Sequence, residues 1–253
     1  MPIFLEGYVR YLKLPVSREI KINLYHNLKK SGLYDSKLKM YKVNESLEKA
    51  SFEIGRAKAF SPGWLENESI WLHMEYKYLL ELLRLKLYQE FFDDLHNACI
   101  PFLSEEMYGR SLLENSSFLA SSANADEKIH GKGFVARLSG STAEFLQIWQ
   151  IMMFGEQPFR LVEGQLRCYF EPSIPEYLVP DGKQVEARFL GKTDISYHFA
   201  QRKDIIPGSY QIKIIKLEFL NGQVKEIKES WVSGPDAEML RAGEVKSVVV
   251  EMV

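Results

Sequence analysis

The chain has 253 residues, of which 46% are hydrophobic, 26% charged and 13% aromatic. This composition is typical of a globular protein and excludes a disordered or fibrous chain. The net charge is -2, so no strong basic field favours nucleic acid as a partner. The two cysteines, Cys99 and Cys168, lie far apart in the sequence, which excludes a disulfide framework or a zinc cluster and predicts a reducing compartment.

Two further features of the sequence concern membranes and secretion. Residues 1–7 lack the basic segment and long apolar run of a secretory signal. The most apolar stretch, Phe145 to Phe154, is much shorter than the roughly 20 residues that span a bilayer. We therefore expect a cytoplasmic chain with no membrane partner.

Residues 1–158 have the apolar spacing of helices. The clearest face follows steps of three and four along the chain, at Ile70, Trp71, Met74, Tyr78, Leu82 and Leu85. Further helices are predicted over residues 17–30, 47–58 and 88–98. The segment from Ser141 to Phe154 is apolar on nearly every side, which is typical of a helix buried in a larger protein. It begins with a sequence of the capping-box type and is followed by Gly155, a typical helix stop.

After Pro158 the pattern changes to the alternation of strands. Strands are predicted over 166–170, 185–189, 195–199, 210–220, 223–232 and 245–252. Gly191-Lys192 is expected to join the second and third of them, and Asn221-Gly222 is a strong hairpin signal. Helices followed by strands predict a helical region and then an antiparallel β-sandwich.

The segment from Ser61 to Trp71 combines two carboxylates, Glu66 and Glu68, with two indoles, Trp64 and Trp71. Indoles stack on the apolar faces of sugars, and a carboxylate beside them has its pKa raised toward acid–base function. The alternative is structural, with Asn67 or Ser69 capping a helix and both indoles in the core.

Three more groups are candidate ligand contacts. Arg110 is suited to clamp an anion, and Glu114-Asn115 to hydrogen-bond sugar hydroxyls, although an ordinary surface ion pair is an equal alternative. His130 precedes Gly131-Lys132-Gly133 and is the best histidine candidate for ligand contact, whereas His73 is expected to be a core residue. Residues 137–143 place hydroxyls and a glycine before a buried helix, which is a typical phosphate site or a plain N-terminal cap.

The order of these motifs resembles the C-terminal part of the cellobiose-phosphorylase family. The resemblance covers about residues 61–198 and is carried by Gly63-Trp64 to Trp71, Glu114-Asn115, Leu138 to Ala143, Gly155 to Pro158, Gly164, Pro172 to Pro175 and Arg188 to Lys192. That family consists of inverting glycoside phosphorylases with an (α/α)6-barrel domain followed by a β-sandwich. The resemblance implies an α+β multidomain fold, with residues 1–158 as the C-terminal part of a barrel and residues 159–253 as an antiparallel β-sandwich.

The resemblance also implies a reaction. Such enzymes bind inorganic phosphate, their co-substrate, through a Ser/Thr-Gly pair that here would be Ser139 and Gly140, with Ser141 or Thr142 near by. Phosphate attacks the anomeric carbon of a β-linked gluco-oligosaccharide while a carboxylic acid protonates the leaving oxygen; no cofactor or metal is needed. The family's histidine before a helix start is replaced in this chain by Asn67.

Three functions stay open from the sequence. The first is phosphorolysis, in which Asn67 donates the hydrogen bond of the family's histidine. The second is an inverting hydrolase with Glu66 or Glu68 as the base, which needs two carboxylates about 6.5–9.5 Å apart. The third is a non-catalytic chain for carbohydrate binding or assembly. Because the family's acid lies upstream of the resembling region, we expect a missing N-terminal part or a homo-oligomer partner to complete the enzyme.

Overall fold

A computed structural model describes residues 2–135 and 139–253, with only the backbone of Ser139. The fold is α+β and divides into two compact units, Met1–Ile148 and Trp149–Val253. The predicted helical and strand-rich halves agree with this α+β class. None of the helices among the described residues is both long and apolar enough to cross a membrane.

Helices dominate the first unit. They are α1 (Leu5–Leu12), α2 (Arg18–Lys30), α3 (Leu72–Arg84), α4 (Tyr88–Ala98), α5 (Glu105–Tyr108) and α6 (Ser139–Phe154), the last of which continues into the second unit. The predictions over 17–30 and 88–98 are confirmed. In α2 the Ser17 hydroxyl accepts a hydrogen bond from the Ile20 amide, which is the cap expected of serine before a helix.

The helix predicted over residues 47–58 is wrong. This stretch forms two short 3-10 turns, Phe52–Ile54 and Arg56–Ala59. Gly55 between them has a φ of +94°, which interrupts any continuous helix. Phe52 is 76% exposed, so the apolar residues of this segment do not share a buried face that would stabilise a helix.

The helix predicted from Ile70 begins later than the apolar spacing suggests. Ile70–Trp71 form strand β3, which pairs with β4 (Phe118–Leu119), and β4 pairs with β5 (Gly133–Phe134). Because the backbone of Ile70 and Trp71 is extended in this sheet, α3 starts at Leu72, and no side chain caps it. The alternative in which Asn67 or Ser69 caps this helix is therefore wrong.

Helix α6 differs from its prediction at its start and agrees at its end. It begins at Ser139, so Ser141 lies inside the helix and the predicted capping box does not form the cap. Its end is confirmed, because Gly155 has a φ of +81° and donates to the Ile151 carbonyl. Ile148 and Met152 are buried, but Leu146 is 59% exposed, so the helix is not covered on every side.

The second unit contains two sheets. The smaller one has the order β12-β7-β6, from Trp231–Ser233, Gln165–Tyr169 and Phe159–Val162. The larger one has the order β11-β10-β13-β9-β8, from Val224–Ile227, Ile212–Phe219, Val245–Met252, Thr193–Phe199 and Gln184–Phe189. Phe159 and Phe189 stack between the sheets with their ring centroids 5.7 Å apart.

Most predicted strands are confirmed, and both predicted turns join antiparallel neighbours. The single strand predicted over 223–232 is wrong, because this stretch forms two strands, β11 and β12, that belong to different sheets. The prediction of a purely antiparallel arrangement is wrong, because β9 and β13 pair in parallel. The last strand lies between β9 and β10 and runs antiparallel to β10. Helix α7 (Pro235–Ala242), which the strand pattern did not predict, precedes that strand.

Charged groups lie in the core of the first unit, next to the hairpin of β1 (Tyr34–Asp35) and β2 (Met40–Tyr41). Asp94 is 1% exposed, forms an ion pair with Lys29 and accepts a hydrogen bond from the Tyr41 hydroxyl at 2.6 Å. The Lys29 ammonium also lies 4.5 Å from the ring centroid of Tyr34. Fully buried Glu75 accepts from the Tyr41 amide at 2.9 Å. These polar groups link α2, α3 and α4 to the hairpin.

Candidate functional site

The segment from Ser61 to Ser69 is a loop that leads into β3 and is held in place by hydrogen bonds. Trp64 and Asn67 face each other through a pair of backbone hydrogen bonds. Asn44 holds the loop from the other side, because its side chain donates to the Glu66 carbonyl and accepts from the Glu68 amide. The candidate residues of this segment are therefore fixed by local hydrogen bonds.

Four aromatic rings form a cluster beside this loop: Trp64, Trp71, Phe118 and Phe134. The Trp64 ring centroid lies 5.1 Å from that of Phe118 and 4.4 Å from that of Phe134, both edge to face. The Trp71 indole stacks against Phe118 at 6.0 Å and donates to the Leu65 carbonyl at 2.6 Å. Both indoles are half-buried, so each is rigidly held and keeps part of its surface exposed.

Both carboxylates proposed as a base have cationic partners. Arg56 donates from two guanidinium nitrogens to Glu66. The Lys42 ammonium lies 2.8 Å from Glu68, whose side chain is 9% exposed. Both carboxylates are therefore engaged by a cation, which disfavours either of them as the base that activates a water molecule.

Asn67 is buried, and its side-chain amide donates to the Phe60 carbonyl at 2.7 Å. Its Oδ1 atom is buried and has no hydrogen-bond partner among residues 2–135 and 139–253. The Asn67 atom without a partner is therefore a hydrogen-bond acceptor, whereas an ionised phosphate oxygen needs a hydrogen-bond donor. This geometry disfavours Asn67 as a phosphate ligand.

The remaining candidate residues in loops already interact with other side chains or with the backbone. Arg110 and Glu114 form an ion pair at 3.6 Å, which matches the structural alternative for this loop. Asn115 accepts from the Tyr76 hydroxyl at 3.0 Å. His130 uses both ring nitrogens, one with the Lys37 ammonium at 2.9 Å and the other with the Asn124 carbonyl at 2.8 Å. His130 is therefore not available for a ligand in this state.

The structure brings a different histidine, His73, to the start of α6. A Cβ atom on Gly140 would lie 2.8–2.9 Å from atoms of the His73 ring. Only a glycine lets the helix backbone approach the imidazole this closely. His73 is the second residue of α3, so the first turns of two helices meet at this point.

The electrostatics at His73 favour a neutral imidazole. Its partial burial and the nearby Lys77 ammonium lower the pKa of His73, while Glu144, 3.7 Å away, partly opposes them. A neutral imidazole keeps one N–H donor. The first turn of α6 adds backbone N–H groups without intrahelical acceptors and the positive end of the helix dipole.

The hydroxyls of α6 lie in different surroundings: Ser141 is fully buried and Thr142 is exposed. The side chain of Ser139 and residues 136–138, which include part of the predicted phosphate segment, lie outside the described residues. Among the described residues, no cluster of three or more His, Cys, Asp and Glu side chains is arranged to hold a metal ion.

No protein-family model matches this chain, and no curated protein is recognisably similar to it. Function therefore has to be argued from the site. His73 is the residue that the sequence interpretation missed, because its position within an apolar helical pattern indicated the core. Its place two residues after Trp71, at the true start of α3, is the signal that could have identified it.

The approach of Gly140 to His73 is testable by a double-mutant cycle. We expect Gly140→Ala to destabilise the chain by about 1–3 kcal/mol, because the added methyl overpacks the contact. In a His73→Ala background this cost should vanish, leaving the small advantage of alanine in a helix, up to about 1 kcal/mol. Urea unfolding of the four proteins measures the coupling. Equal effects in both backgrounds would contradict the close approach.

Proposed function

We propose that the chain is part of a carbohydrate-active enzyme of the inverting glycoside phosphorylase type, and that it binds phosphate and a β-linked gluco-oligosaccharide. The observation that carries this proposal is the close approach of the Gly140 backbone to the His73 imidazole at the start of α6, which leaves no room for a side chain at residue 140. The resemblance to cellobiose phosphorylases points to this same helix start as the phosphate site.

The proposed phosphate site combines three kinds of donor. His73, whose Nε2 atom lies 3.7 Å from Glu144, would turn an imidazole N–H to the phosphate, the first turn of α6 would offer backbone amides, and Thr142 would offer an exposed hydroxyl. Backbone amides at a helix N-terminus and the helix dipole both favour phosphate binding. In this proposal His73 takes the role that the resemblance assigns to a histidine at the position of Asn67.

The proposed sugar contacts are Trp64 and Trp71. Their indoles are half-buried and held by Phe118 and by a hydrogen bond to the chain, so little side-chain entropy is lost when a sugar ring stacks on them. Asn115 lies three residues before Phe118 in the sequence, and its side-chain amide is a further candidate for contact with sugar hydroxyls.

The proposed reaction is a single displacement. A phosphate oxygen attacks the anomeric carbon, the glycosidic C–O bond breaks, and a carboxylic acid protonates the leaving oxygen, yielding sugar 1-phosphate and a shortened sugar. Glu66 and Glu68 are both in ion pairs, which argues against the hydrolase alternative. We propose that another part of the enzyme or a partner subunit supplies the acid, and that the two units correspond to part of an (α/α)6 barrel and a β-sandwich.

Phosphate binding to the purified chain tests this function. We expect titration with inorganic phosphate, followed by 31P NMR and calorimetry, to detect a site that His73→Asn weakens at least tenfold. The matched control His26→Asn changes an exposed histidine on α2 and should bind as the unmodified chain does. Absence of phosphate binding, or equal binding by the His73 variant, would overturn the proposal.

A product assay separates the alternatives. The chain is incubated with β-linked gluco-oligosaccharides with and without phosphate. We expect neither sugar 1-phosphate nor free sugar from this chain alone, because the acid is proposed to come from elsewhere. Sugar 1-phosphate would place the acid within the chain, whereas free sugar formed without phosphate would favour a hydrolase.

A further inference from the structure

A groove in the second unit lies outside the site described above. It has a volume of about 490 Å³, and its lining includes Tyr169, Tyr210, Trp231, Glu171, Gln211 and Ser230. Ligand pockets in proteins have volumes of about 300–1,000 Å³ and combine aromatic walls with a few polar groups. The groove has both properties.

The aromatic wall of the groove is held in place by the smaller sheet. Tyr169 and Trp231 are directly opposite each other in the β7–β12 pair, with ring centroids 5.9 Å apart. The Arg160 guanidinium lies 4.5 Å from the Tyr169 centroid, and that of Arg167 lies 4.9 Å from the Trp231 centroid. Cross-strand packing and these cation–π contacts fix the rings before any ligand arrives.

The charge of the lining selects the class of ligand. Among the described residues that line the groove, Glu171 is the one carboxylate, and it forms an ion pair with Arg160. The two guanidinium groups on the aromatic wall are both paired with carboxylates, Arg160 with Glu171 and Arg167 with Glu163, so the groove does not favour an anionic ligand. Gln211 and Ser230 are exposed there and offer neutral hydrogen-bonding groups.

We propose that this groove is an accessory binding site for a neutral oligosaccharide. A sugar ring has apolar C–H faces that stack on Trp231 and Tyr169, and hydroxyls that exchange hydrogen bonds with Gln211, Ser230 and Glu171. The site goes beyond the proposed function, because it lies in the second unit and uses none of the residues assigned to phosphate or to the reacting sugar. It would hold a longer chain without taking part in the chemistry.

Titration of the full chain with cellotetraose tests the site. The reporter is the 15N-labelled indole signal of Trp231, assigned by comparison with Trp231→Phe. We expect this signal to shift on titration, and Gln211→Ala, an exposed substitution with little effect on folding, to weaken the binding several-fold. Calorimetry with Trp231→Ala should show at least a tenfold loss for this site, and Tyr177→Ala, a 38% exposed aromatic outside the groove, should show none.

Two results would overturn the accessory site. One is a Trp231 signal that does not respond to cellotetraose, and the other is binding that Gln211→Ala and Trp231→Ala leave unchanged. Tighter binding of a sulfated tetrasaccharide than of cellotetraose would also contradict the choice of a neutral ligand. The His73→Asn variant should keep the Trp231 response while losing phosphate binding, so failure of the proposed function and failure of this site are distinguishable.

Discussion

Replacing Asp94 by alanine is expected to destabilise the first unit by about 1–3 kcal/mol. Asp94 is 1% exposed, and its removal leaves the Lys29 ammonium without its counter-ion beneath tyrosine rings. The Tyr41 hydroxyl, which donates to Asp94 at 2.6 Å, also loses its acceptor. Leaving the buried Tyr41 hydroxyl without an acceptor costs more than losing a surface ion pair. Urea unfolding followed by circular dichroism measures the change.

The matched control is Asp93→Ala on the same helix. Asp93 is exposed and precedes Asp94 directly, so this control removes the same group without taking the acceptor from a buried hydroxyl. We expect its effect to stay within about 0.5 kcal/mol, as for an ordinary surface position. A double variant, Lys29→Met with Asp94→Ala, should recover part of the loss because no unpaired charge remains. Equal effects for Asp93 and Asp94 would contradict the buried network.

The second large effect concerns pH and Glu75. Full burial raises the pKa of Glu75 well above its ordinary value, and the nearby Asp94 and Asp35 carboxylates add to the rise, while the hydrogen bond from the Tyr41 amide opposes it. The folded chain therefore keeps this proton at pH values where the unfolded chain releases it. The contribution of Glu75 to the free energy of unfolding is therefore most favourable below the usual Glu pKa of about 4.3. This contribution is lost as the pH rises from there to the folded-state pKa of Glu75.

The Glu75→Gln variant isolates this contribution. Glutamine can keep the hydrogen bond from the Tyr41 amide but does not titrate. We expect the free energy of unfolding of the variant, relative to the unmodified chain, to improve by up to about 1.4 kcal/mol per pH unit across that window. Denaturant unfolding at a series of pH values measures the difference. Glu48→Gln, which removes an exposed carboxyl from the same unit, controls for the change in net charge.

A constant difference between Glu75→Gln and the unmodified chain from pH 5 to pH 8 would contradict the raised pKa. It would mean that Glu75 titrates in the same way in the folded and unfolded chains. Burial of a carboxyl whose Oε2 atom has no partner among the described residues argues for the opposite result.

Local patterns predicted much of the secondary structure. Helix α4 and strand β13 have the predicted bounds, because their apolar periodicity coincides with the face that the fold buries. Gly155 ends α6 as expected, since a left-handed backbone at a helix end depends mainly on the residue itself. Where the burial of a segment depends on distant partners, as over residues 47–58, the same kind of pattern failed.

The candidate site was only partly predictable. The sequence singled out Trp64 and Trp71, and the structure places both in one aromatic cluster. The sequence did not indicate that Glu66 pairs with Arg56 and Glu68 with Lys42. Those cations are 10 and 26 residues away in the chain, respectively. His73 was assigned to the core because helical periodicity cannot tell a residue inside a helix from one at its start.

The sequence by itself determined the α+β class, the change from helices to strands after residue 158, and the turns at Gly191 and Gly222. These features follow from hydrophobic periodicity and from residues that tolerate positive φ, both of which act over a few neighbours. Only the tertiary structure decided that β13 pairs in parallel with β9, that Trp71 belongs to a strand, and that Gly140 lies against His73. Those contacts join residues dozens of positions apart, and their free energy comes from packing and pairing that no local pattern encodes.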